Sequence, residues 1–291
     1  MPNKSWYSFG CSVIGANHLQ DNKPNQDSFK CENMNNSEAT VMLRSITAVS
    51  DGHGGIRYIR SDKGAKYAVT KMCDAILGNT QIPTTKKSFL IEKILPQISA
   101  HFYTKWCDSV DYDFKRNPFA DTEINQIKSK YGEDAVKELL SNVKIAYGCT
   151  LLTIIAYDDI LITMQYGDGD ILFLFDNGSV KKISVSSIGD DTDSLCKFNI
   201  NDMKYNVFVG SEIPILATLS TDGVKNSFPS SDDFLEIPKI LKNEIANEGL
   251  YKARMKLKNF LTKTTNDGSG DDVTLTTIFR SDIVHPQGMQ I

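Results

Sequence analysis

The residues of this 291-residue chain best suited to chemistry are aspartates placed beside glycine. In Ser50-Asp51-Gly52-His53-Gly54-Gly55 the acid follows the apolar run Ile46-Thr47-Ala48-Val49, where a strand gives way to a glycine-rich turn. An acid there is held rigidly and still faces solvent. Asp51 offers a carboxylate, and Gly52, lacking a side chain, a carbonyl that a bound ion can approach. Two hard oxygens from adjacent residues suit Mg2+ or Mn2+. His53 titrates near neutral pH and can reach the same pocket. Asp168 and Asp222 each end a β-like run and precede a glycine, Asp271 joins a Gly-containing loop to a strand, and Asp27 lies just before Phe29. Converging carboxylates repel one another unless cations sit between them. One reading is therefore a site for two divalent ions bridged by Asp51, roughly 3.5–4 Å apart, activating a water and clamping a phosphoryl group for in-line attack. The other is that each acid caps a turn on a different side of the protein, since Asp-Gly is ordinary turn chemistry.

The elements that carry these acids can be read from periodicity. Strands are expected at Ser8 to Ile14, Val41 to Val49, Thr150 to Tyr157, Ile160 to Tyr166, Ile171 to Phe175, Ile213 to Leu219 and Val273 to Phe279. A hairpin-like order would set Asp27 and Asp51 at adjacent strand edges. Ser61-Asp62 starts a helix that Gly78 stops. A second helix carries Leu90, Ile91, Ile94, Leu95, Ile98 and Phe102, with a kink or early break expected at Pro96. Glu133 to Leu140, Phe234 to Asn243 and Gly249 to Thr262 are helical by pattern, and the residues after Arg280 read as a tail. The expected organisation is one domain over residues 1–291. It has a charged, irregular surface insertion at about 108–131 and, at about 184–206, either a flap over a site or a surface loop.

Composition narrows the function classes. The 41% hydrophobic content supports a sizeable core, and a net charge of −4 argues against general binding to nucleic acid or anionic membrane. The six cysteines have no zinc-ligand spacing and no disulfide framework, so they read as reduced thiols of a cytoplasmic protein. Met1 to Gly10 lacks the apolar core of a signal peptide, and no run is apolar and long enough to span a bilayer. Cys149 reads as a small buried thiol, Trp6 and Trp106 as packing residues, and Asp190, Asp191 and Asp193 as acids of a solvated loop.

An ordered set of motifs runs through the chain: Asn25-Gln26-Asp27, Asp51-Gly52-His53-Gly54-Gly55, Gly148-Cys149-Thr150, Gly167-Asp168-Gly169, Ser220-Thr221-Asp222-Gly223 and Gly270-Asp271-Asp272-Val273-Thr274. From about Ser8 to Phe279 it resembles the metal-dependent protein phosphatase 2C family, most closely the bacterial branch, whose Gly-x-x-His loop leading to Gln-Asp is similar to Gly15 through Asp27. The resemblance implies an α+β fold, a four-layer α-β-β-α sandwich of two antiparallel sheets flanked by helices. It implies a serine/threonine protein phosphatase that hydrolyses phosphoserine and phosphothreonine through a metal-activated bridging water. By motif, Asp51 would bridge two Mn2+ or Mg2+ ions, the Gly52 carbonyl would bind one, and Asp222 and Asp271 would hold the other. Asp27 would bind directly or through water, Asp168 would help hold a weaker third ion, and His53 would be the general acid for the leaving hydroxyl.

The chain also departs from the family. Many members carry Gly-Asp-Ser-Arg where this chain has Gly167-Asp168-Gly169-Asp170, so an arginine is lost and Asp170 adds negative charge. Asn226 stands where many relatives place an acid. No arginine occurs between Met1 and Asp27, which leaves His18 or Lys23 to grip the phosphate. Arg57 and Arg60 read as exposed helix-flank charges. The expected partners are a phosphorylated protein and a cognate serine/threonine kinase, with the chain a monomer. The rival readings are a phosphoprotein-binding sensor with little turnover and a two-metal phosphoesterase acting on a small phosphate ester.

Overall fold

The computed structural model of the chain describes residues 5–34, 43–79, 86–183 and 193–283. The strands expected from alternation are present over the described residues, which leave out Val41 and Met42, and all but the first bury both faces. In β4 (Leu151–Tyr157), Leu151, Ile155 and Tyr157 face one core while Leu152, Ile154 and Ala156 face another. A strand covered on both sides reads as a continuous apolar run, which is how this one looks in the sequence.

The first sheet has the order β1–β10–β9–β6–β7, formed by β1 (Trp6–Val13), β6 (Asp170–Leu174), β7 (Val180–Lys182), β9 (Leu216–Ser220) and β10 (Val273–Arg280). The second has the order β2–β3–β4–β5–β8, adding β2 (Ser28–Asn33), β3 (Leu43–Ser50), β5 (Ile160–Tyr166) and β8 (Lys204–Val209). Every pairing within them is antiparallel. Trp6, Val49, Ile154, Phe173, Ala217 and Ile278 pack between the sheets. Helices cover both outer faces, so the four-layer α-β-β-α sandwich is observed as expected. On the first sheet lie α6 (Asp222–Asn226), α7 (Ser231–Leu235) and α8 (Ile237–Asp267). On the second lie α2 (Ser61–Leu77), α4 (Leu95–Arg116) and α5 (Asp121–Ser141). Two short helices, α1 (Ala16–Gln20) and α3 (Lys87–Phe89), complete the set.

Several elements differ from the sequence expectation for identifiable reasons. Pro96 does not break its helix: it lies in the first turn of α4, directly after a π-helical turn over Leu90–Ile94. Helical backbone runs on from Lys87 into α4, so Pro96 lacks one helical donor, and the π-helical turn before it is the local distortion that admits it. The segment 108–131 is helical on either side of residues 117–120 rather than irregular, because Val110, Ile127 and the ion-paired Asp113 bury one face of α4 and α5 while most other charges face water. α8 is two helical stretches that meet at Gly249, where φ 78° and ψ 170° are not helical; the second starts where expected, and the first runs on past Asn243 to meet it. β7 and β8 escape the sequence reading because edge strands of mixed polarity show little alternation. Of the segment 184–206, residues 184–192, with Asp190 and Asp191, lie outside the described residues. The rest forms short turns at Leu195–Lys197 and Ile200–Asp202 and then enters β8, with Asp193 exposed. All six cysteines are unpaired, and Cys149, Trp6 and Trp106 are buried as expected. Among the described residues no helix is long and apolar enough to cross a membrane.

Candidate active site

Strand register brings the acids to one end of the two sheets. Ser28 pairs with Ser50, so Asp27 precedes one strand beside the point where Asp51 leaves the next. Asp170 and Leu275 both pair with Ser220, which sets the Asp168 turn and the Asp271 loop against the β9 exit that carries Asp222. Val13 opposite Val273 ties the first strand of the chain to its last and closes the ring.

Local hydrogen bonds then fix each loop. The Asp51 N–H donates to Thr150 Oγ1 (3.0 Å), the Thr150 N–H to the Asp51 carbonyl (2.8 Å) and the His53 N–H to the Gly148 carbonyl (3.2 Å). Asp51-Gly52-His53 is thus zipped to Gly148-Cys149-Thr150. A Cβ at Gly52 would lie 2.6 Å from the Gln26 carbonyl oxygen and 2.8 Å from the Ser61 backbone. Glycine is required there by protein packing, a cause that sequence reasoning did not supply. The His53 carbonyl accepts from Ser61 Oγ (2.9 Å) and Gln26 Nε2 (3.1 Å), and its ring meets Tyr58 edge-on at 4.7 Å. Thr221 Oγ1 donates to Asp27 Oδ2 (2.8 Å), and Asn226 Nδ2 to Asp222 Oδ2 (3.1 Å).

The electrostatics record the convergence. Burial pushes the Asp51 carboxyl well above its usual range, and Asp27, Asp222 and Asp168 push it further. Burial raises Asp27 as well; the Thr221 hydroxyl opposes the rise and the charge of Asp272 adds to it. Burial raises Asp222, with a carboxyl–carboxylate hydrogen bond to Asp51 opposing and the charges of Asp168 and Asp271 adding. Burial lowers the His53 imidazole, and Asp168 partly offsets this. Among the described residues no three acidic, histidine or cysteine side chains close into a ready-made metal cage. The donor set nonetheless fits hard divalent cations: its side-chain donors are carboxylates, they repel one another, and Asp27 Oδ1 is buried without a hydrogen-bond partner.

Other residues behave differently from their sequence reading. Asp170 adds no uncompensated charge, because it is buried and ion-paired with Lys182. Arg57 pairs with Glu138, and Arg60 is buried rather than exposed. His18 turns Nδ1 to Asp272 Oδ2 (3.0 Å), with Nε2 3.9 Å from Asp271 Oδ1. Lys23 pairs with Asp21 at 2.8 Å. His18, Lys23 and Asp271 share a surface hollow of about 450 Å³. The residue that sequence reasoning passed over is Asp272. Its buried carboxylate accepts from the Gly15 and Gln26 N–H groups, each at 2.6 Å, and faces His18, so it holds the loop leading to Asp27. The signal was the doubled acid Asp271-Asp272, in which period-2 alternation sends one side chain out and the next in.

The sequence matches a family model described as Protein phosphatase 2C over residues 14–262. No curated protein matches it. Solved structures share its fold at low identity. The serine/threonine phosphatase of S. agalactiae is 16% identical with a TM-score of 0.54, covering 94% of this chain and 99% of its own. Serine-threonine phosphatase 2C from Toxoplasma gondii is 14% identical with a TM-score of 0.54, covering 95% of each chain. The catalytic domain of the phosphatase PstP, solved in complex with two manganese ions, is 13% identical with a TM-score of 0.52, covering 95% of this chain and 99% of its own.

Proposed function

This chain belongs to the protein phosphatase 2C family, and from that premise we propose that it is a Mg2+- or Mn2+-dependent serine/threonine protein phosphatase. The observation that carries the reading is the mutual repulsion of Asp27, Asp51, Asp168 and Asp222, with Asp271 beside them, at one end of the sheets. Asp51 would bridge two ions, the Gly52 carbonyl would bind one, Asp222 and Asp271 would hold the other, and Asp27 would bind directly or through water. Asp168 would take part in a weaker third site. When bound, such ions supply a water nucleophile at neutral pH and neutralise charge on the phosphoryl group.

The chain's own side chains supply the rest. His53, held between Tyr58 and the Gly148 backbone, would give the leaving serine or threonine hydroxyl its proton. Its burial makes the imidazolium a stronger acid, and the negative charge of Asp168 helps it keep the proton until it is needed. Lys23 and His18, in the hollow beside Asp271, would meet the phosphate or the peptide that carries it. The substrate is a phosphoserine or phosphothreonine protein, supplied by a serine/threonine kinase, and the enzyme works as a cytoplasmic monomer.

The test is phosphate release from a phosphothreonine peptide with Mn2+, with a chelator, and with Asp222→Ala. Turnover with Mn2+ that chelation and the substitution both remove is the expected result. Turnover that survives chelation would refute the metal dependence. Metal binding without turnover on any phosphoester would favour a phosphoprotein sensor, and activity confined to small phosphate esters would favour the phosphoesterase reading.

A further inference from the structure

Arg60 is 6% exposed, yet all five of its guanidinium N–H donors are used. Nη1 donates to the Asn117 carbonyl (2.5 Å) and Tyr147 Oη (3.0 Å). Nη2 donates to the Pro118 carbonyl (3.1 Å) and Glu123 Oε2 (3.0 Å), and Nε to Glu123 Oε1 (3.3 Å). The Phe119 ring covers the guanidinium, with its centroid 4.7 Å from the central carbon. Tyr147 Oη passes the chain on by donating to Asp113 Oδ2 (2.7 Å), which Lys63 Nζ also reaches at 2.9 Å. Two cations, Arg60 and Lys63, balance two anions, Glu123 and Asp113. A network so fully satisfied is rigid, because loss of any member strands a buried polar group.

The two segments that leave this network are the ones that hold His53. The Arg60 backbone N–H donates to the Ala146 carbonyl (2.8 Å), which fixes the turn over Val143–Tyr147 just before Gly148. The Gly148 carbonyl takes the His53 N–H, and a Cβ on Gly148 would stand 3.0 Å from His53 Cδ2. On the other side Arg60 adjoins Ser61, whose hydroxyl holds the His53 carbonyl, and lies two residues from Tyr58, whose ring contacts the imidazole. The Val143–Tyr147 turn has a second hold on the network through Tyr147 on Asp113, and Arg60 is the residue that touches both segments. We propose that Arg60 is the positioning residue for His53, holding the imidazole in place through the 58–61 turn and Gly148 while tying the α4–α5 loop to the same point. The inference rests on the phosphatase reading for the role of His53, and on the structure alone for the coupling. A lysine cannot replace the fork, since one ammonium cannot reach Glu123, Tyr147 and two loop carbonyls together.

The test uses the full chain with Arg60→Met and, as a milder break, Glu123→Gln, each checked for folding by circular dichroism and thermal melting. Two readouts are taken: kcat and KM on a phosphothreonine peptide with Mn2+, and the His53 ring 1H–13C cross-peak with Mg2+, identified by its loss in His53→Ala. A ring displaced from its working geometry should cost Arg60→Met about 10- to 100-fold in kcat, with KM within about twofold. The cross-peak should shift as the neighbouring Tyr58 ring moves, and Glu123→Gln should move both readouts the same way by less. A folded Arg60→Met with kcat within twofold of wild type, or with an unmoved cross-peak, overturns the proposal. If Arg60→Met does not fold, Glu123→Gln decides on the same two readouts. A wild-type chain without turnover defeats the phosphatase reading by itself, and the cross-peak then decides the coupling.

Discussion

Gly52 and Asp272 show how much a single residue in this site owes to its neighbours. Gly52 lies under the Gln26 carbonyl and the Ser61 backbone, so Gly52→Ala puts a methyl group where two rigid backbone segments already stand. Overpacking of this kind costs about 1–3 kcal/mol. The expected outcome is a lower melting temperature together with loss of phosphate release, because Gln26 and Ser61, the groups that must yield, also hold the His53 carbonyl. An alanine variant that melts and turns over like wild type would contradict this account. Asp272 teaches the complementary lesson. It is the same residue type as Asp271 and its neighbour in the chain, yet it is buried and spends its carboxylate on protein donors while Asp271 is exposed at the hollow.

At the scale of elements, α2, α4 and α5 are joined by the Arg60–Glu123 and Lys63–Asp113 pairs. Burial would raise the Asp113 carboxyl, but hydrogen bonds from Lys63, Tyr147 and Asn117 outweigh it and hold the group below its ordinary 3.8. A folded-state pKa below the unfolded value favours folding when the group is charged. That contribution is present above pH 3.8 and is lost as pH falls through the folded value. Wild type should therefore lose melting temperature more steeply below about pH 4 than Asp113→Asn does, the two curves drawing together at low pH. Parallel curves would remove Asp113 from the acid response. The same helices show where sequence reading stopped. Charges on the water face of 108–131 masked Val110 and Ile127, which extend the stripe beyond Phe102 and Trp106, and Pro96 looked like a breaker although a π-helical turn precedes it.

For the whole molecule, the consequence is a coupling between stability, pH and divalent ions. Asp27, Asp51 and Asp222 are raised, first by burial and then by neighbouring charge. A carboxyl with a raised folded pKa stabilises the fold below its unfolded value of 3.8, and that stabilisation is lost as pH rises through the folded value. The metal-free protein should thus be penalised at neutral pH, and a cation among the acids should offset the penalty. At 100 times its dissociation constant an ion adds about 2.7 kcal/mol, or about 4–5 °C for a chain of this size. Melting scans with and without Mg2+ should show the larger rise at pH 7.5 than at pH 5.5, and Asp51→Ala should abolish it. An equal rise in Asp51→Ala would move the ion elsewhere.

What the sequence determined by itself is local. Strand-forming runs and the glycine turns that end them depend on near neighbours, and they named the acids; the two-sheet architecture came from the resemblance to the protein phosphatase 2C family that the ordered motifs carry. Only the tertiary structure decided which acids meet: Asp27 lies against Thr221 and within the field of Asp271 because the Gln26 N–H is tied to Asp272 and β10 pairs with β9. It also decided that Asp170 is neutralised by Lys182 and that Arg60 is buried. The physical reason is that periodicity reports the side of an element a residue occupies, while contacts between distant residues follow from strand register and packing, which no local window contains.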